Sequence, residues 1–278
     1  LDQMLPNYQV NGGTKQALFS VEDCFISDSE QAKQQQSSII GLIAIDLDEA
    51  TVTPRGQCYV GDIETVYASS EAIYLATTQY PYSVDGDVVN YHGQPTTEIH
   101  KFSLDGTTPD YRGTGSVAGH LGWQQDLKAF RMNEYNDVLR IITYTGEQAD
   151  SESSPAHLYT LKENTETASL DTIGSLPNDA HPAPLGKPGE QIYATRFIGD
   201  KAYLVTFRTT DPLYIVDLSD PSDPFVASEL EINGYSDYLH PVGENYLLGI
   251  GKDAVASAEA GDGRGAWVQG VKLSLIDI

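Results

Sequence analysis

The chain has 278 residues, with 40 Asp and Glu against 16 Lys and Arg, for a formal net charge of -24. That length buries a substantial core, either as one large all-β domain or as two ordinary domains. The negative field repels phosphate backbones and anionic lipid, which argues against a nucleic-acid partner, and no apolar run approaches the roughly 20 residues that span a bilayer, so no membrane insertion is expected.

Residues 1–37 are read as an N-terminal extension or edge strand, and their opening "LDQMLPNYQV" lacks the basic and apolar regions of a signal peptide. Cys24 and Cys58 are the only cysteines, too few for a disulfide framework and without the paired spacing of a zinc site. A bridge between them would add about 3 to 4 kcal/mol by loop closure. Two free buried thiols are the alternative, and the sequence leaves both open.

From residue 38 onward, short strand-like runs recur. "SIIGLIAIDLDEATVTPRGQCYVG" reads as half of a four-stranded unit. A full unit starts near Thr65: "TVYASSEAIYLATT" gives a strand, a tight polar turn and a more apolar strand, and "TEIHKFSLDGTTPDYRGTGSV" adds a second pair. The next runs from "LKAFRMNEYNDVLRIITY" to "AHLYTLKENTETASLDTIGSL", and a third from "IYATRFIGDKAYLVTF" to "PLYIVDLSDPSDPFVASELEI". In that last hairpin Pro221 and Pro224 fix φ and remove a donor, and the Asp-rich turn separates two apolar runs. "SDYLHPVGENYLLGIG" opens a final unit of three strands; a shift of 44 lays Gly199 on Gly243, Asp200 on Glu244 and Leu204 on Leu248. Residues 80–95, 177–190 and 253–270, rich in Gly, Pro and Asp, are read as loops.

Four short antiparallel strands repeated in register are what a β-propeller needs, whereas a β-sandwich has no reason to repeat such a unit. The expected fold is therefore all-β, with residues 38–278 forming roughly four to five four-stranded blades of a larger propeller. The chain does not start with Met and "VKLSLIDI" stops within a strand-like run, so a processed or excised piece of something longer is expected.

The runs "DEATVTPRG", "MNEYNDVLRIITYTG", "PGEQIYATRFIGDKAYLVTFRTTDPLYIVDLSDPSDP" and "INGYSDYLHPVGENYLLGIGKD" resemble the secreted prokaryotic proteins that contain a C-terminal β-propeller distantly related to WD repeats. The resemblance covers about residues 38–278 and is densest from 188 to 253. It implies a secreted, periplasmic or cell-surface protein with more blades than this chain supplies, and no catalytic activity or cofactor to carry over.

The six histidines show no HxH or HExxH spacing, and no G-x-S-x-G elbow or phosphate loop occurs, so no catalytic residues are assigned. The 44-residue shift lays His240 on Arg196, and the strand-wise match of "LKAFR" to "IYATR" adds Arg131. If first strands line a central channel, Arg131, Arg196 and His240 form a cationic cluster that binds an anionic ligand; the bland alternative pairs them with carboxylates such as Asp237. Calcium has weak candidates in Asp85 and Asp87, and weaker ones in the triplet Asp217, Asp220 and Asp223, whose spacing departs from a calcium loop. No other cofactor is expected. The expected role is an exported, non-enzymatic module that binds a protein, peptide or glycan, with an extracellular polymer-degrading hydrolase or lyase as the alternative. Open blade edges would favour self-association.

Overall fold

The computed structural model describes residues 5–26, 38–86, 88–104, 108–122, 124–145, 156–186, 191–207, 211–232, 234–256 and 266–278. The described structure is all-β apart from single-turn 3-10 helices. It divides into two compact units: Leu1–Gly93, Glu98–Ser116 and Glu163–Leu170 form the first; Gln94–Thr97, Val117–Lys162 and Asp171–Ile278 form the second.

The first unit begins with a short hairpin of β1 (Asn7–Tyr8) and β2 (Gln16–Ala17). Next, β3 (Cys24–Ile26) pairs in parallel with β5 (Arg55–Gly61), and β4 (Ser38–Ala44) pairs antiparallel with the other side of β5. Cys24 stands directly opposite Cys58 in this register, and the two are joined by a disulfide. Strands β6 (Thr65–Ala68) and β7 (Ala72–Gln79) form an antiparallel pair. Residues 80–95, expected as a loop, contain a hairpin of β8 (Tyr82–Asp85) and β9 (Val88–Tyr91), because Val84, Val88 and Val89 favour extended pairing over an irregular path. β10 (Thr96–Ser103) and β11 (Asp110–Ala118) complete the order β6-β7-β10-β11. Leu42, Tyr59, Leu75 and Phe102 form the core, with Phe25 stacked on Tyr111 at 4.5 Å.

In the second unit, β12 (Met132–Tyr135), β13 (Val138–Tyr144), β14 (Ala156–Asn164) and β15 (Ser169–Leu176) lie edge to edge in chain order. Asn136 and Asp137 form the two-residue turn into β13 with φ of 52° and 61°, a left-handed pair that Asn and Asp tolerate best after Gly. A four-stranded antiparallel sheet follows: β16 (Gln191–Ile198), β17 (Lys201–Phe207), β18 (Asp211–Asp217) and β19 (Phe225–Ile232). The expected hairpin at 212–232 is β18 and β19. The last sheet has three strands, β20 (Tyr235–Val242), β21 (Tyr246–Ala256) and β22 (Ala266–Asp277), and its ladder runs into the expected 253–270 loop as far as the Ala256–Ala266 pair.

Strand β17 shows why these sheets stack. Ala202 and Leu204 point into a core shared with Ile142 and Leu158, while Tyr203 and Val205 point the other way, into a core shared with Leu239, Leu247 and Ile276. A strand apolar on both faces must be covered on both. The same comparison corrects the superposition of Leu204 on Leu248. Ile198 pairs with Lys201 across two residues, whereas Val242 pairs with Tyr246 across three. The extra turn residue moves β21 by one position, so Leu247 takes the buried face and Leu248 is half-buried.

Leu204→Ala should cost about 2 to 5 kcal/mol in urea unfolding, as expected for a cavity in a closed core. Leu275→Ala, on the exposed face of β22, should stay within about 0.5 kcal/mol. Equal losses at the two positions would contradict the assignment of faces.

Candidate functional site

A 3-10 turn, Ala129–Arg131, leads into β12 and packs beside β16, which in turn packs beside β20. Between them lies a narrow recess of about 30 Å³ that opens to solvent. Its walls include Leu127, Ile192, Ala194 and Leu239, with the polar groups of Arg131, Thr195, Arg196 and Asp237, and Phe130 and Tyr238 are exposed in its lining.

Two β-bulges shape the recess. The β16–β17 register jumps between Ile192 and Ala194, and the β20–β21 register jumps between Ser236 and Tyr238. The extra residues are Tyr193 and Asp237, 44 positions apart, and both line the recess. A bulge re-aims side chains that would otherwise alternate between sheet faces.

Arg131 is 5% exposed, and its guanidinium lies 4.5 Å from the centre of the Tyr144 ring. The Tyr144 hydroxyl donates to Ile192 O at 3.2 Å. Burial raises the Tyr144 pKa, against the pull of the Arg131 charge. Gly122, at φ +81°, lets the backbone approach, since a Cβ there would lie 3.1 Å from Arg131 Nη1. Three buried polar atoms of the lining have no hydrogen-bond partner among the described residues: Arg131 Nη1, Thr195 Oγ1 and Arg196 Nε. Neither arginine forms an ion pair with Asp237 or any other described carboxylate. Asp237 is exposed at the rim of the recess; partial loss of water raises its carboxyl above the ordinary value, and the Lys252 charge partly offsets this.

Arg131 and Arg196 thus line one recess, though not as repeat equivalents. Tyr135 and Ile198 each close a two-residue turn, so Arg196 corresponds to Asn133, and Arg131 lies before its strand. His240 matches Arg196 along β20 but lies outside the lining; it is exposed, with Nδ1 3.2 Å from the Tyr238 hydroxyl. Asp85 is exposed at the end of β8, and Asp87 lies outside the described residues. Asp217 accepts from the Ser219 amide and hydroxyl, and Asp220 does the same with Ser222, so these carboxylates are spent on turn formation and their pKa values are lowered by those bonds. Among the described residues no group of three or more His, Cys, Asp or Glu is placed to hold a metal. No helix among them is long and apolar enough to cross a membrane.

Thr195, Phe130 and Tyr238 carry no motif in the sequence. Asp237 is named there as a partner for the arginines, a pairing the described residues do not make, and its 44-residue offset from Tyr193 marks the shared bulge.

The sequence profile of the family described as Beta propeller domain matches residues 1–278. An uncharacterised protein of Methanocaldococcus jannaschii is 43% identical over 157 residues, which is 56% of this chain and 22% of that protein. An uncharacterised protein of Archaeoglobus fulgidus is 37% identical over 182 residues, 66% of this chain and 23% of that protein. The aligned part of the chain therefore spans under a quarter of either relative.

The charged form of Asp237 is disfavoured in the folded state, so it lowers stability above its folded pKa and ceases to do so below the ordinary carboxylate value. Asp237→Asn should raise the melting temperature at pH 7, with the gain vanishing as the pH falls to about 3. A gain that persists or grows at low pH would contradict this sign.

Proposed function

The chain belongs to the Beta propeller domain family, and on that premise we propose that it is an exported, non-enzymatic binding module for a protein, peptide or glycan. Its sheets are read as four-stranded blades of a larger propeller, in keeping with the length of the relatives and with the likeness to secreted proteins carrying a C-terminal propeller. The Cys24–Cys58 disulfide is compatible with export.

The observation that carries the binding role is the recess of the second unit. Arg131, Thr195 and Arg196 of its lining each carry a buried polar atom without a partner among the described residues, and Phe130 and Tyr238, 47% and 42% exposed, present ring surface to solvent. Aromatic rings beside oriented polar groups suit capture of a ligand, since each ring adds contact area at little entropic cost. Among the described residues of the lining Asp237 is the one carboxylate, so acid–base chemistry between two carboxylates has no second partner among them.

Screening the purified chain against peptide and glycan arrays should return binders whose affinity falls about tenfold in Phe130→Ala and Tyr238→Ala. Recovery of the ligand cleaved, by mass spectrometry, would overturn the non-enzymatic reading, and binding indifferent to both substitutions would move the site elsewhere.

A further inference from the structure

In the first unit, the sheet of β3, β4 and β5 is apolar on both faces. Its register puts Phe25, Ile40, Leu42 and Tyr59 on one face, in the core shared with Leu75 and Phe102, and Ile39, Gly41, Ile43, Cys58 and Val60 on the other. This second face is covered by the chain's own N-terminal segment. Leu5 and Phe19, 8% and 4% exposed, pack with Cys58, and Leu18, Cys24 and Val60 join the cluster. The Phe19 ring lies on bare backbone, since a Cβ at Gly41 or Gly56 would come within 3.2 Å or 3.0 Å of it. Ile39 and Ile43 stay exposed beside it.

The hydrogen bonds of this cover close within it. β1 pairs with β2, Leu18 N donates to Pro6 O at 3.1 Å, and Ser20 and Asp23 form a capping box around the single turn Val21–Asp23. Among the described residues it is joined to the sheet by the contacts of Leu5, Leu18 and Phe19, by β3, which pairs with β5 through three residues in the less stable parallel sense, and by the disulfide. Ordering about twenty residues costs more conformational entropy than the burial of so few apolar side chains returns, so the cover depends on the covalent tie that keeps it beside its seat. We infer that the Cys24–Cys58 disulfide is a redox latch: oxidised, it holds Leu5–Asp23 over the second face of the sheet; reduced, it lets that cover lift and bares the strip of Ile39, Gly41, Ile43, Cys58 and Val60. Cys58 is fully buried and Cys24 half-buried, so a dithiol reductant attacks at Cys24 Sγ. Its thiolate forms a mixed disulfide with Cys24, and the electron pair of the broken bond leaves on Cys58, which takes up a proton. The second thiol of the reductant, losing its proton, then displaces Cys24, which is protonated in turn. Two cysteine thiols and one oxidised reductant result.

The test is hydrogen exchange of the whole chain, read by mass spectrometry, with chymotrypsin digestion in parallel, before and after treatment with dithiothreitol. Alkylation of a denatured aliquot, read by intact mass, counts the free thiols. Reduction should speed exchange within residues 5–23 at least about tenfold and start cleavage at Phe19, while β7 and β10 keep their exchange rates. Cys24→Ala should show the open pattern without reductant, which separates the latch from any effect of the reagent. Unchanged exchange at 5–23 in the reduced chain would overturn the inference and leave the disulfide a passive staple. Exchange that speeds equally in β7 and β10 would overturn it too, because the bond would then hold the whole unit together. A disulfide that dithiothreitol reduces only in urea would overturn it as well, since the folded chain would then have no accessible latch.

Discussion

A sheet with apolar side chains on both faces cannot leave either face to water, and this constraint governs the second unit. Tyr203 and Val205 oppose Ala202 and Leu204 across a single strand, so β17 is intelligible only as a middle layer. Once the sheet of β16 to β19 is covered by β20 to β22, their first strands lie side by side, and whatever those strands project meets in the space between them. The recess is therefore a consequence of core packing, and the bulges at Tyr193 and Asp237 decide which side chains enter it.

Electrostatics gives the recess its character. Taking a guanidinium out of water costs several kcal/mol unless hydrogen bonds or an opposite charge offset it. For Arg131 the offset within the chain is the face of Tyr144, worth about 2 kcal/mol when desolvated. The remaining deficit is directional, because an N–H without an acceptor has a definite place where an acceptor would sit. In a chain this acidic, carboxylates to pair with arginines are abundant in sequence, yet none reaches Arg131 or Arg196 among the described residues. Donors held in position beforehand spare a ligand the cost of ordering them.

The architecture was more legible than the site. Alternation of apolar and polar residues, together with the 44-residue recurrence, located the strands around Leu204 and the Asp-Pro hairpin because strand periodicity is a local property. Turn length is local too, but the single residue added between Val242 and Tyr246 is invisible to a constant shift, and it exchanged the faces of Leu247 and Leu248. Arg131 and Arg196 were paired by a match that the strand register does not support, yet both reach the recess, since a 3-10 turn carries Arg131 to a place its own strand would not. Thr195 was unreadable for a different reason. A threonine in a strand is ordinary, and only the lack of a partner in three dimensions marks it. The hairpin at Tyr82–Tyr91 shows the reverse error, where Gly and Asp at its turn outweighed the valines of its strands.

The most direct measurement is anomalous diffraction from crystals of the chain soaked in bromide. Guanidiniums held without acceptors among the described residues predict anomalous peaks in contact with Arg131 or Arg196. An empty recess with bromide at other sites, or electron density placing Asp237 in a salt bridge with Arg196, would contradict the account.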